Sequence, residues 1–137
     1  MTRRARVIAV VLVLSGLGAG PPALAAPDAL RGATIYARCA ACHAPAFDRV
    51  GPRHCGLFGR RAGSVQAFAY STAMKQSKIV WDEKALDRFL AAPMKAIPGT
   101  TMTYDGVPDR LERADLIAYL RQVDRTPACR GSPPVQR

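Results

Sequence analysis

The clearest hydrophobic patterns in the chain have a helical period and lie in its C-terminal half. In WDEKALDRFLAAP, the apolar residues Leu86, Phe89 and Leu90 fall on one face of a helix. Asp82 is placed to cap the start of this helix, and Pro93 disfavours helical geometry at the residue before it. The pattern therefore predicts an amphipathic helix that begins after Asp82 and stops before Pro93.

The segment PDRLERADLIAYLRQV carries the strongest helix signal. Asp109 precedes Glu112 by three residues, which resembles a capping box with Asp in the role of Ser or Thr. The apolar positions repeat near the helical period, and they are Leu111, Ala114, Ile117, Leu120 and Val123. We expect a long helix with this stripe facing the core.

Weaker patterns precede these two helices. DALRGATIYARCAACH has Leu30 and Ala37 among its near-helical apolar positions and predicts an N-terminal helix. YSTAMKQS predicts one or two helical turns capped by Ser71 or Thr72. Glycine and proline punctuate residues 45–63, where we expect turns. No run of β-branched residues alternates over several positions, so the predicted fold class is all-α.

The first 25 residues have the features of a secretory signal peptide. Three arginines precede a short apolar run, VIAVVLVLSGLGAG, and an Ala-x-Ala site follows it. Cleavage is predicted after Ala25, with Ala26 as the alternative end. The apolar run is shorter than the ~20 residues that a membrane-spanning helix needs, which disfavours an uncleaved anchor. We therefore divide the chain into a signal peptide at 1–25, one domain at 26–130 and a flexible tail at 131–137.

Charge and cysteine content narrow the classes of partner and compartment. The net charge is +10, and removal of the three leader arginines lowers it to +7. The basic residues are scattered with few aromatic residues between them, so no nucleic-acid-binding stripe is visible. Such a surface could also attract anionic lipid or an acidic protein. A solvated basic surface is the simpler interpretation, and an acidic protein partner is the more specific one. The 4 cysteines fit an exported protein in an oxidising compartment, which we expect to be the periplasm.

The motif CAACH carries the most specific chemistry in the chain. On a helical turn Cys39 and Cys42 share a face, so both thiols could form thioethers with the vinyl groups on one edge of a haem. His43 follows directly and could bind the iron. The pattern favours covalent attachment of haem.

Two other chemistries remain as alternatives for this motif. A zinc site could recruit His54, Cys55 or Cys129, although the adjacent ligands Cys42 and His43 would chelate one ion poorly. A dithiol redox pair normally follows a strand, and no strand is predicted before the motif.

A haem iron bound by His43 would take its second axial ligand from elsewhere in the chain. Met102 lies in IPGTTMTY, a loop between the two clearest helices, where the backbone could fold a thioether over the haem. Met74 belongs to a short predicted helix and is expected to pack in the core. Met94 stands at a helix end and is expected to be exposed, and His54 is expected at the haem periphery. Met102 is the predicted ligand.

From about residue 28 to residue 123 the chain resembles class I cytochromes c, and it is similar to bacterial cytochrome c2-like proteins and their mitochondrial relatives. CAACH, VGP, GLFGRRAG, FAYSTAMK, an isolated tryptophan, IPGTTM and ERADLIAYLR occur in the order and near the spacings of that family. The resemblance implies a fold of three to five helices and long loops wrapped around one covalently bound haem c. It also implies that His43 and Met102 are the axial ligands.

The resemblance assigns further residues to the cofactor. It implies that the Pro52 carbonyl accepts the other ring N–H of His43 and so fixes the tautomer. Arg60, Tyr70 and Trp81 match the family positions that hold the inner haem propionate, a carboxylate that would be costly to bury without donors.

Two cysteines stand outside the motif. Cys55 occupies a position where the family pattern has a histidine, and Cys129 lies beyond the last predicted helix. With Cys39 and Cys42 committed to haem, we predict a Cys55–Cys129 disulfide that ties the C-terminal segment to the loop behind the haem. Two separate free thiols are the alternative.

The resemblance implies soluble one-electron transport in the periplasm, by a monomer without enzymatic activity. Expected partners are redox proteins with acidic docking surfaces, such as a membrane oxidase, a reductase, a reaction centre or a dehydrogenase. We expect neither nucleic-acid binding nor stable membrane insertion. The basic residues that match the family's docking surface are Arg38, Arg49, Lys95 and Arg110. Alternatives are a haem-based ligand sensor or weak peroxidase with a labile Met102, and a dedicated cytochrome subunit of a dehydrogenase.

Overall fold

The computed structural model of the protein describes residues 26–131, so the predicted signal peptide and residues 132–137 of the predicted tail lie outside the described residues. The described chain forms these helices: α1 Ala29–Tyr36, α2 Thr72–Gln76, α3 Glu83–Ala91, α4 Pro93–Ala96, α5 Arg110–Val123 and a 3-10 helix at Pro127–Cys129. It contains no strand, only an isolated bridge between Arg61 and Val80, which confirms the all-α prediction. None of these helices has the length and apolar character needed to cross a bilayer.

Side-chain caps start α2, α3 and α5 at the predicted residues. The carboxylates of Asp82 and Asp109 accept backbone N–H groups of α3 and α5 at 2.6 and 2.8 Å, and Ser71 caps α2. The capping-box prediction is wrong in one respect. The Glu112 carboxylate pairs with Arg38 at 2.8 Å instead of reaching back to the start of its own helix.

The sequence pattern misplaced one helix end and one core residue, Leu111, and it did not predict α4 or the 3-10 helix. The N-terminal helix ends at Tyr36, before the CAACH motif. Helix α4 begins at Pro93, because proline at the first helical position loses no hydrogen bond. Leu30 and Leu111 are 81% and 59% exposed, since each lies off the buried stripe of its helix.

The first and last α-helices cross in direct contact. A Cβ at Gly32 would lie 2.0 Å from the carbonyl oxygen of Asp115, so only glycine permits this approach. The buried Asp115 carboxylate accepts the Asp28 N–H at 2.6 Å and Arg31 Nε at 2.8 Å. This crossing fixes the point at which the CAACH motif leaves α1.

Candidate functional site

A cleft opens into the apolar core, and the predicted site residues line it. Its empty space is about 1320 Å³, part of which is open to solvent. The helices contribute an apolar wall that includes Leu86, Phe89, Leu90, Leu116 and Leu120. The predicted site residues along the same cleft are Cys39, Cys42, His43, Pro52, Arg60, Tyr70, Trp81 and Met102. The cleft therefore suits a large apolar group that has reactive and polar edges.

The CAACH motif forms a tight turn directly after α1. The His43 N–H donates to the Cys39 carbonyl at 2.9 Å, which is the hydrogen bond of one α-helical turn. The Cys42 N–H donates to the same carbonyl at 3.1 Å. Neither Cys39 nor Cys42 is in a disulfide. The turn presents two thiols and an imidazole to one space.

The His43 ring is held through Nδ1, which leaves Nε2 for a metal. Nδ1 lies 2.8 Å from the Pro52 carbonyl oxygen, and a carbonyl can only accept, so Nδ1 carries the hydrogen. Burial lowers the pKa of His43, which favours the neutral imidazole that a metal ligand requires. A Cβ at Gly51 would lie 2.3 Å from Cε1 of His43, so glycine is needed for the backbone to pass this close.

The loop between α4 and α5 brings Met102 to the cleft and is anchored at both ends. Ile97 and Val107 are buried, and the Val107 N–H donates to a carbonyl of α3 at 2.8 Å. Gly106 has φ +109°, and a Cβ there would lie 2.4 Å from the Ala91 carbonyl oxygen. The anchors leave the middle of the loop, with the half-buried Met102, beside the cleft.

The other methionine candidates lie where the sequence predicted them. Met74 is buried in the core, although it also lines the cleft. Met94 is 47% exposed and does not line the cleft. The loop geometry therefore favours Met102 as the thioether ligand.

The polar part of the cleft wall contains Arg60, Tyr70 and Trp81. Arg60 is buried and donates to the carbonyls of Cys55 and Arg53, both at 2.9 Å. Burial lowers the pKa of Arg60, and the guanidinium makes no ion pair within residues 26–131. A buried cation without a counter-ion is costly, so this wall suits a carboxylate from a bound group.

Sequence reasoning missed a pair of rings beside His43, the buried Tyr36 and the half-buried His54. The ring of His54 stacks on the His43 ring with centroids 4.5 Å apart and planes 19° apart. His54 Nδ1 lies 3.1 Å from the Tyr36 hydroxyl. Burial, together with the nearby His43 and Arg60, lowers the pKa of His54 to about 3, so the ring is neutral at ordinary pH. GPRHCG placed His54 near the site, but no local signal indicated the stacking.

The zinc and dithiol alternatives find little support in this geometry. Cys55 and Cys129 are joined in a disulfide with Cα atoms 5.1 Å apart, so neither is available to a metal. No group of three or more His, Cys, Asp or Glu side chains within residues 26–131 is placed to hold a metal ion. Burial raises the pKa of the Cys39 thiol, which opposes the thiolate that dithiol exchange requires.

The residues of the cleft fit haem c. Two free thiols on one turn could form its thioethers, and the Nε2 of His43 and the thioether of Met102 could bind its iron. The apolar wall would cover the porphyrin, and the unpaired Arg60 would face a propionate.

Comparison with known proteins gives concordant matches. A family model described as "Cytochrome c" matches residues 29–124. Cytochrome c2 of Blastochloris viridis is 40% identical over 116 residues, which cover 82% of this chain and 91% of that protein. Cytochrome c of Tetrahymena pyriformis is 48% identical over 98 residues, covering 70% and 89%. The structure of cytochrome cH from Methylobacterium extorquens matches with a TM-score of 0.68 at 40% identity, covering 69% of this chain and 98% of that one.

Proposed function

Because the chain belongs to the class I cytochrome c family, whose members carry covalently attached haem c, we propose that it is a soluble periplasmic electron carrier whose iron is bound by His43 and Met102. The observation that carries the proposal is the convergence of CAACH, a fixed His43 and the Met102 loop on one apolar cleft. The bound haem would supply an iron that takes up and releases one electron.

The ligand pair explains why we expect a carrier rather than an enzyme. Nε2 of His43 and Sδ of Met102 would fill both axial positions, so no position remains for a substrate. Methionine is a weak donor and raises the reduction potential relative to a second histidine. The apolar wall of the cleft also raises the reduction potential, because it disfavours the additional charge of the ferric state.

Arg60, Tyr70 and Trp81 are the proposed partners of the inner propionate. Arg60 would supply the compensating charge, since it has no counter-ion within the described residues. No hydrogen bond in the same part of the chain uses the indole N–H of Trp81, so this donor is also available.

The proposed partners are redox proteins with acidic docking surfaces. Arg38, Arg49, Lys95 and Arg110 are all exposed and could steer such a partner. Arg38 contributes less than the others, because Glu112 engages its guanidinium through two bonds of 2.8 and 2.9 Å. We expect the encounter rate to fall as salt is added.

The position of His54 disfavours the peroxidase alternative. A peroxidase needs an acid–base residue beside the iron position that the substrate occupies. His54 instead stacks on His43, which would occupy the other axial position.

A stable second chain that co-purifies with the protein would favour the dehydrogenase-subunit alternative over a free carrier.

The proposal is tested with protein purified from periplasmic extract. We expect a pyridine haemochrome spectrum of haem c and a ferric methionine–iron charge-transfer band. Met102→Ala should lose this band, bind cyanide rapidly and have a lower midpoint potential. Met94→Ala removes an exposed methionine outside the cleft and should behave as the wild type. A colourless mature protein, or a Met102→Ala variant with unchanged absorption and potential, would contradict the proposal.

A further inference from the structure

The Tyr36–His54 pair is fixed by more than its own hydrogen bond. The His54 N–H donates to the carbonyls of Ala44 and Pro45 at 3.3 and 3.0 Å. The next residue, Cys55, is in the disulfide, and its N–H donates to Pro45 at 2.8 Å. The backbone that carries the His54 ring is therefore restrained on both sides of the ring.

The Tyr36 side chain, the other member of the pair, is also held in place. It is the last residue of α1 and is 6% exposed. Its ring packs against Tyr119 of α5 with centroids 5.0 Å apart. The hydroxyl that meets His54 Nδ1 thus projects from the crossing of the first and last α-helices. The pair connects this crossing to the face of the His43 ring.

The Pro52 hydrogen bond alone does not fix the orientation of His43. Its two polar contacts, Nδ1 to Pro52 and Nε2 to the iron, would define an axis about which the ring could still turn. A flat neighbour at stacking distance restricts that turning, and His54 is such a neighbour. The neighbour must itself be held, and the Tyr36 hydroxyl holds it.

We propose that Tyr36 and His54 act together as positioning residues for the His43 ring, so that the iron receives its imidazole in one orientation. The inference rests on the proposed function, because it requires His43 to bind the haem iron. Ring orientation sets how the unpaired electron of ferric haem is distributed. It is therefore read from the haem-methyl NMR resonances and the EPR g-values.

The test compares Tyr36→Phe and His54→Phe as ferric holoproteins. The first variant removes only the hydroxyl, and the second keeps a flat ring while removing Nδ1. Each should change the spacing of the haem-methyl resonances and the g-values in the same direction. The double variant should change them no further than the larger single effect, because both substitutions break one contact.

Two further variants separate positioning from packing. Tyr119→Phe removes the hydroxyl of the neighbour that packs on Tyr36 and should leave the haem-methyl pattern unchanged. His54→Asn keeps a hydrogen-bond acceptor for Tyr36 but has no ring to stack. We expect it to retain more stability than His54→Phe and still to show the altered pattern.

An unchanged haem-methyl pattern and unchanged g-values in Tyr36→Phe and His54→Phe would overturn the proposal, even if both variants unfold more easily. If His54→Phe fails to accumulate with haem, Tyr36→Phe and His54→Asn decide the same question. Failure of the proposed function is visible earlier, because the wild type would then lack the haemochrome or the charge-transfer band.

Discussion

The two candidate iron ligands are held in different ways. On the His43 side, the supports contact the ligand ring itself. The Pro52 carbonyl accepts from Nδ1 at 2.8 Å, and the His54 ring stacks 4.5 Å from the His43 ring. The backbone passes so close at Gly51 that no side chain fits there.

The Met102 side is the loop of residues 97–109. Here the supporting contacts are made to the backbone of the loop and not to the ligand side chain. Val107 and Gly106 anchor the loop against α3, and the Met102 N–H donates to the Thr100 hydroxyl at 3.3 Å. No hydrogen bond in the described part of the chain reaches the Met102 sulfur.

The difference follows from the chemistry of the two side chains. An imidazole has a second nitrogen whose hydrogen can be held, whereas a thioether has no donor and accepts only weakly. A methionine ligand can therefore be positioned only through packing and the backbone that carries it. Damage to the His43 side should appear as lost stability or a changed ring orientation, and damage to the Met102 side should appear as a labile ligand.

The largest predicted effect is on the His43 side. The Cys55–Cys129 disulfide spans 74 residues of sequence. The chain-entropy model assigns ~4.5 kcal/mol to a loop of this length, and removing a native disulfide typically costs about 2–5 kcal/mol. We expect the double variant Cys55→Ala, Cys129→Ala to lose stability in this range in guanidinium unfolding. Its methionine–iron charge-transfer band should persist before unfolding, because the loop 97–109 is untouched.

Thiol titration supplies the control for the disulfide prediction. Denatured, unreduced wild type should show no free thiol, since Cys39 and Cys42 would be in thioethers. Two reactive thiols in that sample would contradict the bond. Reduced wild type should unfold at the same denaturant concentration as the double variant.

The next largest effect is on the Met102 side and concerns Arg113. This residue is 8% exposed, and Nε donates to Asp87 at 2.7 Å. Nη1 donates to the carbonyls of Val107 and Pro108 at 2.9 and 2.8 Å. Arg113→Ala leaves the buried Val107 carbonyl without its donor and removes the ion pair with Asp87, so we expect a loss of about 2–3 kcal/mol in unfolding free energy. The charge-transfer band should weaken, and cyanide should displace Met102 faster.

Arg88→Ala is the matched control for this prediction. Arg88 is an exposed residue of α3, so its removal should leave both stability and cyanide binding near wild type. If Arg113→Ala unfolds more easily but binds cyanide at the wild-type rate, Met102 is held by its own packing. The contrast between the two sides would then be wrong.

Features that depend on neighbouring residues were predictable from the sequence. The caps at Asp82 and Asp109 involve side chain and backbone within one turn, so local chemistry determines them. The turn of CAACH is likewise a local arrangement. The contact of His43 with Pro52, nine residues away, was predicted only because the motifs resemble a known family.

Features that depend on distant packing were not predictable. Arg113 is a charged residue on an amphipathic helix, where the sequence alone would place it at the surface. It is buried because the 97–109 loop places two carbonyls beside it. The stacking of His54 on His43 depends on how the loop after residue 45 folds back. Hydrophobic periodicity describes which face of a helix is buried, but it does not indicate which polar residue joins that face.

The smallest predicted effect concerns Asp115, which lies on α5 two residues after Arg113. Its carboxylate contacts α1, the helix that leads into the CAACH motif and His43. The Arg31 side chain and the Asp28 N–H donate to its carboxylate at 2.8 and 2.6 Å. The hydrogen bond from Arg31 has the larger effect and that from Asp28 the next, and together they hold the pKa of Asp115 below its ordinary value of 3.8. A carboxyl with a lowered pKa contributes stability above its unfolded-state pKa and loses that contribution as pH falls through the folded-state pKa.

Asp115→Asn should therefore be less stable than the wild type at neutral pH, and the gap between them should narrow as the pH falls below 3.8. Unfolding by denaturant at a series of pH values measures this gap. Asp105→Asn, at an exposed position in the 97–109 loop, is the control and should be about as stable as the wild type at neutral pH. A gap for Asp115→Asn that stays constant through the acid range would mean that packing at the α1–α5 crossing, rather than the charge of Asp115, supports the helix that leads to His43.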